Sequence, residues 1–235
     1  VPDTHDYRED ETRDLFIDVL LREAGWKLDQ ARDLEFPVTG MPNNAEGGKG
    51  FVDYVLWGDD GLPLGLVEAK RTRKDAHAGQ QQAKLYADRL EAVYGQRPVI
   101  FYTNGYEHFL WDDATYPPRR VDGFYTRDQL ELLIQRRTTR KPLASVEVNP
   151  SIVERYYQRR AIAKVAEVFE NKERKALLVM ATGSGKTRTV IALADVLMRA
   201  NWAKRILFLA DRVALVNQAA NAFKQQLPDS APVNL

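Results

Sequence analysis

Apolar residues recur with two different periods along the chain, and the period predicts where helices and strands lie. Residues 6–25 carry apolar side chains at positions 15, 16, 19 and 20, which is helical spacing, and Gly25 then interrupts the pattern. Two apolar runs, 51–57 and 64–69, flank the turn-forming sequence Gly-Asp-Asp-Gly at 58–61. The sequence therefore predicts an N-terminal helix followed by two adjacent antiparallel strands.

Further along the first half, the pattern alternates between loop, helix and strand. Residues 37–50 are crowded with Pro, Gly and Asn, which predicts a mobile loop. Residues 77–94 show helical spacing, residues 99–103 are aromatic and β-branched, and residues 109–111 follow an Asn-Gly pair. These features predict a helix, a strand and a second hairpin, so we expect a mixed sheet with helices packed on it.

The second half has a different organisation. The periodicity lapses in residues 138–150, which indicates a boundary between domains 1–143 and 144–235. Beyond it, predicted helices and strands alternate in the order helix 152–170, strand 176–180, glycine-rich turn, helix 187–199, strand 205–210 and helix 213–226. Such alternation is typical of a parallel α/β sheet.

Composition limits the classes of protein and of metal site. A hydrophobic content of 44% suits a folded protein, and the chain contains no cysteine, so any metal must bind to oxygen or nitrogen ligands, as Mg²⁺ does. The chain has no apolar run of about 18 residues and no basic, apolar leader, so we expect a cytoplasmic protein without membrane contact. The net charge is only +1, but residues 119–175 hold 14 Lys and Arg against 8 Asp and Glu. This local excess suits either a DNA track or solvated helix faces.

A glycine-rich turn follows the predicted strand 176–180 and precedes a predicted helix. This strand–turn–helix order is what a phosphate-binding loop requires, because turn N–H groups and the helix N-terminus then point at the same phosphates. The generic pattern has glycine where this chain has Met180. The lysine can reach the β- and γ-phosphates and the threonine can ligate Mg²⁺. The predicted nucleotide-binding residues are Gly183, Ser184, Gly185, Lys186 and Thr187.

Two acidic residues and a lysine lie on the predicted hairpin strands. Glu68 and Lys70 are two residues apart and so project from the same face, while Asp53 lies on the neighbouring strand among apolar residues. Two carboxylates in an apolar sheet are unfavourable unless a cation compensates their charge. A divalent metal on Asp53 and Glu68 would hold a phosphodiester and lower the pKa of a bound water, while Lys70 orients that water or stabilises the growing charge.

This arrangement resembles the PD-(D/E)xK nuclease family, although Val52 stands where the family usually has proline. Gln82 and Tyr86 resemble the QxxxY element of the RecB-like branch of these nucleases, which implies a catalytic role for both. Glu11 resembles an additional acidic metal ligand of some members, although a solvated acidic helix face explains it equally well. The run 67–75, followed by this pair, is similar to the endonuclease segment of type I restriction subunits.

The glycine-rich turn resembles that of superfamily 2 helicase motors. Residues 207–218 resemble the next motif of these motors, which contacts the nucleic-acid backbone, and Gln158 resembles the glutamine that recognises adenine. A polar residue on a solvated helix is the alternative for Gln158. Up to Leu235 the chain contains no DEAD- or DEAH-like acidic motif, so by itself it is expected not to hydrolyse ATP efficiently.

Both motif sets together resemble the R subunit of type I restriction enzymes. The implied fold is α/β, a mixed-sheet restriction-endonuclease-like nuclease domain followed by a partial RecA-like parallel α/β motor. The implied cofactors are Mg²⁺ and ATP, and the implied partners are double-stranded DNA and the methyltransferase and specificity subunits. The implied activity is cleavage of unmodified DNA after ATP-driven translocation. Two alternatives stay open: a helicase-nuclease of DNA repair, and an ATP- and DNA-binding module with an inactive nuclease fold.

Overall fold

The computed structural model describes residues 6–42, 48–230 and 232–233. It divides into two compact units, an N-terminal unit (Val1–Arg137) and a C-terminal unit (Thr138–Leu235). The predicted boundary between residues 143 and 144 lies a short way inside the C-terminal unit and stays a prediction about where the functional domains meet. Among the described residues, no helix is long and apolar enough to cross a lipid bilayer.

The N-terminal unit starts with a helical segment and continues with a six-stranded sheet. The helical segment consists of α1 (Glu9–Thr12), a π-helical turn (Arg13–Ile17) and α2 (Asp18–Glu23). The sheet and its helices follow as β1 (Leu34–Val38), β2 (Gly50–Trp57), β3 (Pro63–Ala69), a 3₁₀ turn (Ala76–Gly79), α3 (Gln80–Tyr94), β4 (Val99–Thr103), β5 (His108–Trp111), β6 (Arg119–Val121) and α4 (Arg127–Thr139).

The strands lie in the order β1-β2-β3-β4-β5-β6, and every neighbouring pair is antiparallel except β3 and β4. Residues 58–62 join β2 to β3 and residues 104–107 join β4 to β5, whereas the parallel pair β3 and β4 needs a crossover, which α3 supplies. Both predicted hairpins and the mixed sheet are confirmed. The loop predicted at 37–50 is shorter than expected, because β1 includes Pro37 and Val38 and β2 begins at Gly50. Residues 43–47 of that loop lie outside the described residues.

Both faces of the sheet are covered, and alternation along β3 and β4 assigns residues to each face. Leu66, Ile100 and Tyr102 pack against α3, whereas Val67 and Phe101 pack on the opposite side. That opposite side also holds residues of the helical segment and of α4. Because Glu68 lies two residues beyond Leu66, its side chain is on the face that α3 covers.

The C-terminal unit contains a 3₁₀ turn (Leu143–Ser145), α5 (Tyr156–Glu170), α6 (Lys186–Arg199) and α7 (Val213–Gln226). The three predicted helices are confirmed, although α5 begins at Tyr156 rather than at 152. Ile152, Ile162, Ile191 and Val196 form the centre of its core.

The predicted strands 176–180 and 205–210 are wrong for the described residues, which have no regular structure there. Leu177 and Val179 are 86% and 88% exposed, so neither side chain is covered by a neighbouring layer. A strand is maintained by ladder hydrogen bonds and by packing on its faces. Among the described residues these two segments pair with no strand, and apart from the ring contact of Phe208 with Phe223 their large apolar side chains are mostly exposed. The chain is nevertheless α/β, as predicted, through the mixed sheet of the N-terminal unit.

The turn between β4 and β5 fixes the helical segment against the sheet, and this contact is testable. Gly105 has a φ of +88°, and a Cβ added there would lie 2.8 Å from Thr12 Cγ2. Gly105→Ala should lower the free energy of unfolding by about 1–3 kcal/mol, because alanine adds both backbone strain and a clash with a fully buried residue. Denaturant titration measures the change.

Gly123→Ala is the matched control, because an added Cβ meets nothing within 4 Å at Gly123. Equal unfolding free energies for the two variants would show that the contact between Gly105 and Thr12 does not constrain the fold.

Candidate functional sites

Asp53 and Glu68 lie on the neighbouring strands β2 and β3, close enough for their charges to interact. The register pairs Tyr54 with Val67, and each acid is the next residue along its own strand from that pair. The backbone N–H of Ala69 donates a hydrogen bond of 2.7 Å to Asp53 Oδ2, which fixes the orientation of that carboxylate. Like charges on neighbouring strands repel each other, so this arrangement is unfavourable without a compensating cation.

Burial makes the pairing more unfavourable still. Asp53 is 8% exposed and Glu68 is 1% exposed. Burial raises the pKa of Asp53 to about 6, although the Ala69 hydrogen bond acts in the opposite direction. Burial, and then repulsion by Asp53, raise the pKa of Glu68 to about 8. The protein therefore holds two acidic groups whose ionised forms are destabilised unless positive charge lies next to them.

Lys70 supplies part of that charge and leaves one oxygen of Glu68 without a partner. Its Nζ donates to Glu68 Oε1 at 2.5 Å. Burial acts to lower the pKa of Lys70, but attraction by Glu68 outweighs it, and the pKa is raised. Glu68 Oε2 is buried and accepts no hydrogen bond from any residue that the structure describes. A buried oxygen of this kind calls for a ligand, and the oxygen-only pair of Asp53 and Glu68 suits a hard cation such as Mg²⁺.

The start of α3 closes over these carboxylates. A Cβ added at Gly79 would lie 3.0 Å from Glu68 Cγ, so the preceding 3₁₀ turn sits directly on that side chain. Gln82 Nε2 donates to the Tyr86 hydroxyl at 2.8 Å, one helical turn apart. Burial raises the pKa of Tyr86, and the charges of Glu68 and Asp53 add to the shift. The structure thus brings the predicted QxxxY pair to the same place as the predicted acids and lysine.

Glu11 is not brought to this place. Its carboxylate accepts a 2.8 Å hydrogen bond from the Arg8 backbone N–H and so caps α1. The described residues contain no group of three or more acidic, histidine or cysteine side chains placed to hold one ion. The negative charge of Glu9, also on α1, acts to raise the pKa values of both Asp53 and Glu68. Arg8 is not a typical N-cap residue, so the sequence carried no signal that Glu11 would cap the helix.

Sequence reasoning also missed the two contacts that fix α1 beside the carboxylates. The Tyr7 N–H donates to Thr72 Oγ1 at 2.9 Å, just beyond Lys70. Arg13 Nη1 lies 3.6 Å from Asp53 Oδ1. Both contacts join residues far apart in the chain, and no local pattern predicts such pairs.

In the C-terminal unit, the glycine-rich turn leads into α6 as predicted. Gly183 and Gly185 have φ values of +77° and +84°, which glycine adopts without strain. Helix α6 begins at Lys186, whose Nζ donates to the backbone carbonyls of Met180 and Ala181, each at 3.1 Å. The Lys186 ammonium group therefore lies at the glycine-rich turn. In phosphate-binding loops, the equivalent turn surrounds the bound phosphate. Thr187 lies in the first turn of the helix.

Helix α5 holds this turn from the other side. Gln158 Nε2 donates to the Ser184 carbonyl at 3.1 Å, and the Tyr157 hydroxyl donates to the same oxygen at 3.0 Å. A Cβ added at Gly185 would lie 2.4 Å from Gln158 Nε2, so a larger residue there would displace the Gln158 amide in addition to straining the backbone at φ +84°. Gln158 is buried against the turn rather than solvated, while its role in recognising adenine stays a prediction. Sequence reasoning did not anticipate Tyr157.

Comparison with protein families agrees with the order of these two sites. Residues 42–119 match the family described as type I restriction enzyme R protein N terminus. This range contains Asp53, Glu68, Lys70 and the QxxxY pair. Residues 151–234 match the family described as type III restriction enzyme, res subunit, and contain the glycine-rich turn.

Two curated relatives come from Escherichia coli. The EcoAI type I restriction enzyme endonuclease subunit is 35% identical over 191 residues, which is 72% of this chain and 22% of the relative. The EcoKI endonuclease subunit, from strain K12, is 29% identical over an alignment of 278 positions, covering 92% of this chain and 23% of the relative. The chain therefore spans about a fifth of the length of these relatives.

One solved structure with a detectable likeness is a fragment of a protein described as an HsdR subunit of a type I restriction enzyme from Vibrio vulnificus YJ016. It is 26% identical, with a TM-score of 0.48, and the match covers 86% of this chain and 40% of that chain. With an R-protein N terminus followed by a restriction-enzyme res segment, and with endonuclease subunits as relatives, this chain belongs to the family of type I restriction enzyme R subunits.

Proposed function

We propose that the N-terminal unit is an Mg²⁺-dependent nuclease that cleaves double-stranded DNA. The observation that carries the proposal is the buried pair of Asp53 and Glu68, with Lys70 on one oxygen and, among the described residues, no partner on Glu68 Oε2. A scaffold without activity gains nothing from two destabilised carboxylates. The alternative of an inactive nuclease fold is therefore disfavoured.

Each residue of the pair has a role in this proposal. Asp53 and Glu68 would hold the metal ion, which supplies Lewis-acid stabilisation of the phosphate and lowers the pKa of a water molecule. Glu68 must lose its proton for this, and the raised pKa means that it does so readily only when positive charge is close. The Lys70 ammonium donates hydrogen bonds to the attacking water or to a phosphate oxygen, where negative charge grows during attack.

Gln82 and Tyr86 position the substrate from α3. The Gln82 amide and the Phe51 backbone both donate to the Tyr86 hydroxyl oxygen, which leaves the hydroxyl proton free to point at a phosphate oxygen. The helix also covers the carboxylates and excludes water from them, because Gly79 packs on Glu68. These residues therefore orient the phosphate while the acids and lysine act on it.

The C-terminal unit is proposed as the nucleotide-binding start of an ATP-driven DNA translocase. The turn 181–187 would bind the ATP phosphates through its N–H groups and Lys186, and Thr187 would ligate Mg²⁺. Lys186 must first leave the carbonyls of Met180 and Ala181. In the complete restriction system, methyltransferase and specificity subunits would select unmodified DNA, and translocation would precede cleavage.

Replacing a proposed metal ligand separates the two activities. In the full-length subunit, assembled with its partner subunits, Glu68→Gln should reduce DNA cleavage by at least about a hundredfold, because the neutral amide cannot hold a cation. DNA-stimulated ATPase activity should persist. Plasmid cleavage and phosphate release measure the two activities.

Glu131→Gln, an exposed glutamate on α4, is the matched control and should keep both activities. Cleavage by Glu68→Gln at the wild-type rate would favour a different nuclease centre.

The raised pKa values also predict how stability depends on pH without metal. Between the unfolded pKa of Glu68, near 4.5, and its folded pKa, about 8, the folded protein binds more protons than the unfolded chain. The free energy of unfolding from this group therefore decreases as pH rises through that window. Glutamine does not titrate, so Glu68→Gln should become progressively more stable relative to wild type from about pH 5 to pH 8.

Denaturant titration in EDTA at several pH values measures this difference. A stability difference that stays constant across the window would contradict the destabilised carboxylate.

The phosphate-binding turn is tested at Lys186. Lys186→Ala in the full-length subunit should weaken ATP binding by at least about tenfold, since it removes the charge that reaches the β- and γ-phosphates. Binding of a fluorescent ATP analogue measures the loss. Lys204→Ala, also exposed, is the control and should bind normally. Equal affinities for the two variants would show that the turn is not the nucleotide site.

A further inference from the structure

Arg13 opens an unusual stretch of backbone close to the carboxylate pair. It is the first residue of the π-helical turn Arg13–Ile17, which interrupts the helical segment between α1 and α2. Single π turns are rare and are frequently found at functional sites. The Arg13 side chain is only 18% exposed, so the guanidinium that follows from this backbone irregularity is largely buried.

Several contacts hold this guanidinium, and most of them do not involve Asp53. Glu35 on β1 forms an ion pair and a hydrogen bond with Arg13 Nη1. The guanidinium lies over the Tyr54 ring, 5.1 Å from its centroid, and donates to the Tyr54 hydroxyl. That hydroxyl donates in turn to Asp18 Oδ1 at 2.7 Å. Arg13 is thereby fixed in place independently of Asp53.

The residue that holds Arg13 is itself in an unusual conformation. Glu35 has a φ of +47°, in the left-handed region that residues other than glycine rarely adopt. Such conformations persist where the surrounding structure enforces them, and they cluster at functional sites. Two irregular stretches of backbone, the π turn and Glu35, thus meet in one ion pair beside Asp53.

The distance between Arg13 and Asp53 indicates what the guanidinium does there. Nη1 is 3.6 Å from Asp53 Oδ1, which is an ion pair but is longer than a hydrogen bond. Asp53 Oδ2 is already bonded to the Ala69 N–H. Arg13 therefore acts on Asp53 through its charge, without the direct hydrogen bond that would occupy a lone pair of Oδ1.

We propose that Arg13 is a built-in counter-ion, a fixed positive charge that stabilises the Asp53 carboxylate when no divalent metal is bound and thereby weakens metal binding. The inference rests on the proposed nuclease site and concerns how that site is regulated. Arg13 and the incoming cation repel each other, so the site binds metal weakly until a DNA phosphate adds negative charge. Cleavage is then coupled to the presence of substrate.

The test measures Mn²⁺ binding to the full-length subunit without nucleotide, by calorimetry at one fixed alkaline pH. Arg13→Gln should bind Mn²⁺ about tenfold more tightly than wild type, because a unit charge a few ångströms from the ligand is removed. Arg13→Lys keeps the charge and should stay near wild type. Arg127→Gln removes a charge that pairs with Asp59 in the turn between β2 and β3 and that makes none of the contacts of Arg13, and it should also bind as wild type does.

Glu35→Gln should change Mn²⁺ affinity in the opposite direction to Arg13→Gln. It releases Arg13 from its main partner, so the guanidinium can bond directly to Asp53, and Mn²⁺ affinity should fall by about threefold or more. This result keeps the inference testable if Arg13→Gln folds poorly. Thermal unfolding adds a second readout: Arg13→Gln should lose stability without Mn²⁺ and regain most of it with saturating Mn²⁺.

The counter-ion role of Arg13 would be refuted if Arg13→Gln bound Mn²⁺ as wild type does or more weakly. It would also be refuted if Arg13→Gln lost the same stability with and without Mn²⁺, because Arg13 would then be a packing residue. Unchanged or tighter binding in Glu35→Gln would overturn it as well. If neither wild type nor Arg13→Gln bound Mn²⁺ more tightly than Glu68→Gln does, the proposed metal site itself would fail, and the counter-ion with it.

Discussion

The repulsion between two buried carboxylates governs the N-terminal unit. Asp53 and Glu68 lie close together on β2 and β3, and both side chains are buried. The surrounding structure offsets this repulsion only in part: the Ala69 N–H and Lys70 each bind one carboxylate oxygen, and Arg13 adds its charge. Within the described part of the chain, one oxygen of Glu68 has no hydrogen-bond partner, and a divalent cation would balance the remaining negative charge.

Three parts of the fold position the groups around the two carboxylates: the β2–β3 hairpin, α3 and the N-terminal helical segment. A tight turn sets the register of the hairpin, and the crossover through α3 then lays Gly79 and the Gln82–Tyr86 pair over the same face. The helical segment approaches from the side, fixed by Tyr7 on Thr72 and by Thr12 beside Gly105. Because these attachments involve backbone groups and tight contacts, small shifts in any of them would move a charge relative to the carboxylates.

Much of this was predictable from local sequence, and the reasons for the misses are physical. The hairpin, α3 and the glycine-rich turn each carry their own periodicity or turn residues, so Asp53, Glu68 and Lys70 could be placed on one surface in advance. Glu11 was predicted as a metal ligand from a resemblance to related nucleases; in the structure its carboxylate caps α1, which no typical N-cap residue announced in the sequence, and its role at the metal stays a prediction. Arg13 and Tyr157 act through contacts between distant segments, which periodicity does not encode. The strands at 176–180 and 205–210 were predicted from β-propensity, which is too weak to maintain a strand without ladder partners.

The central claim is that Asp53 and Glu68 together hold a divalent metal ion. Anomalous diffraction from crystals of the full-length subunit grown with Mn²⁺ tests it most directly. The account predicts an anomalous peak within coordination distance of Glu68 Oε2 and of an Asp53 carboxylate oxygen. Peaks only elsewhere on the protein, at a Mn²⁺ concentration that supports DNA cleavage, would contradict it.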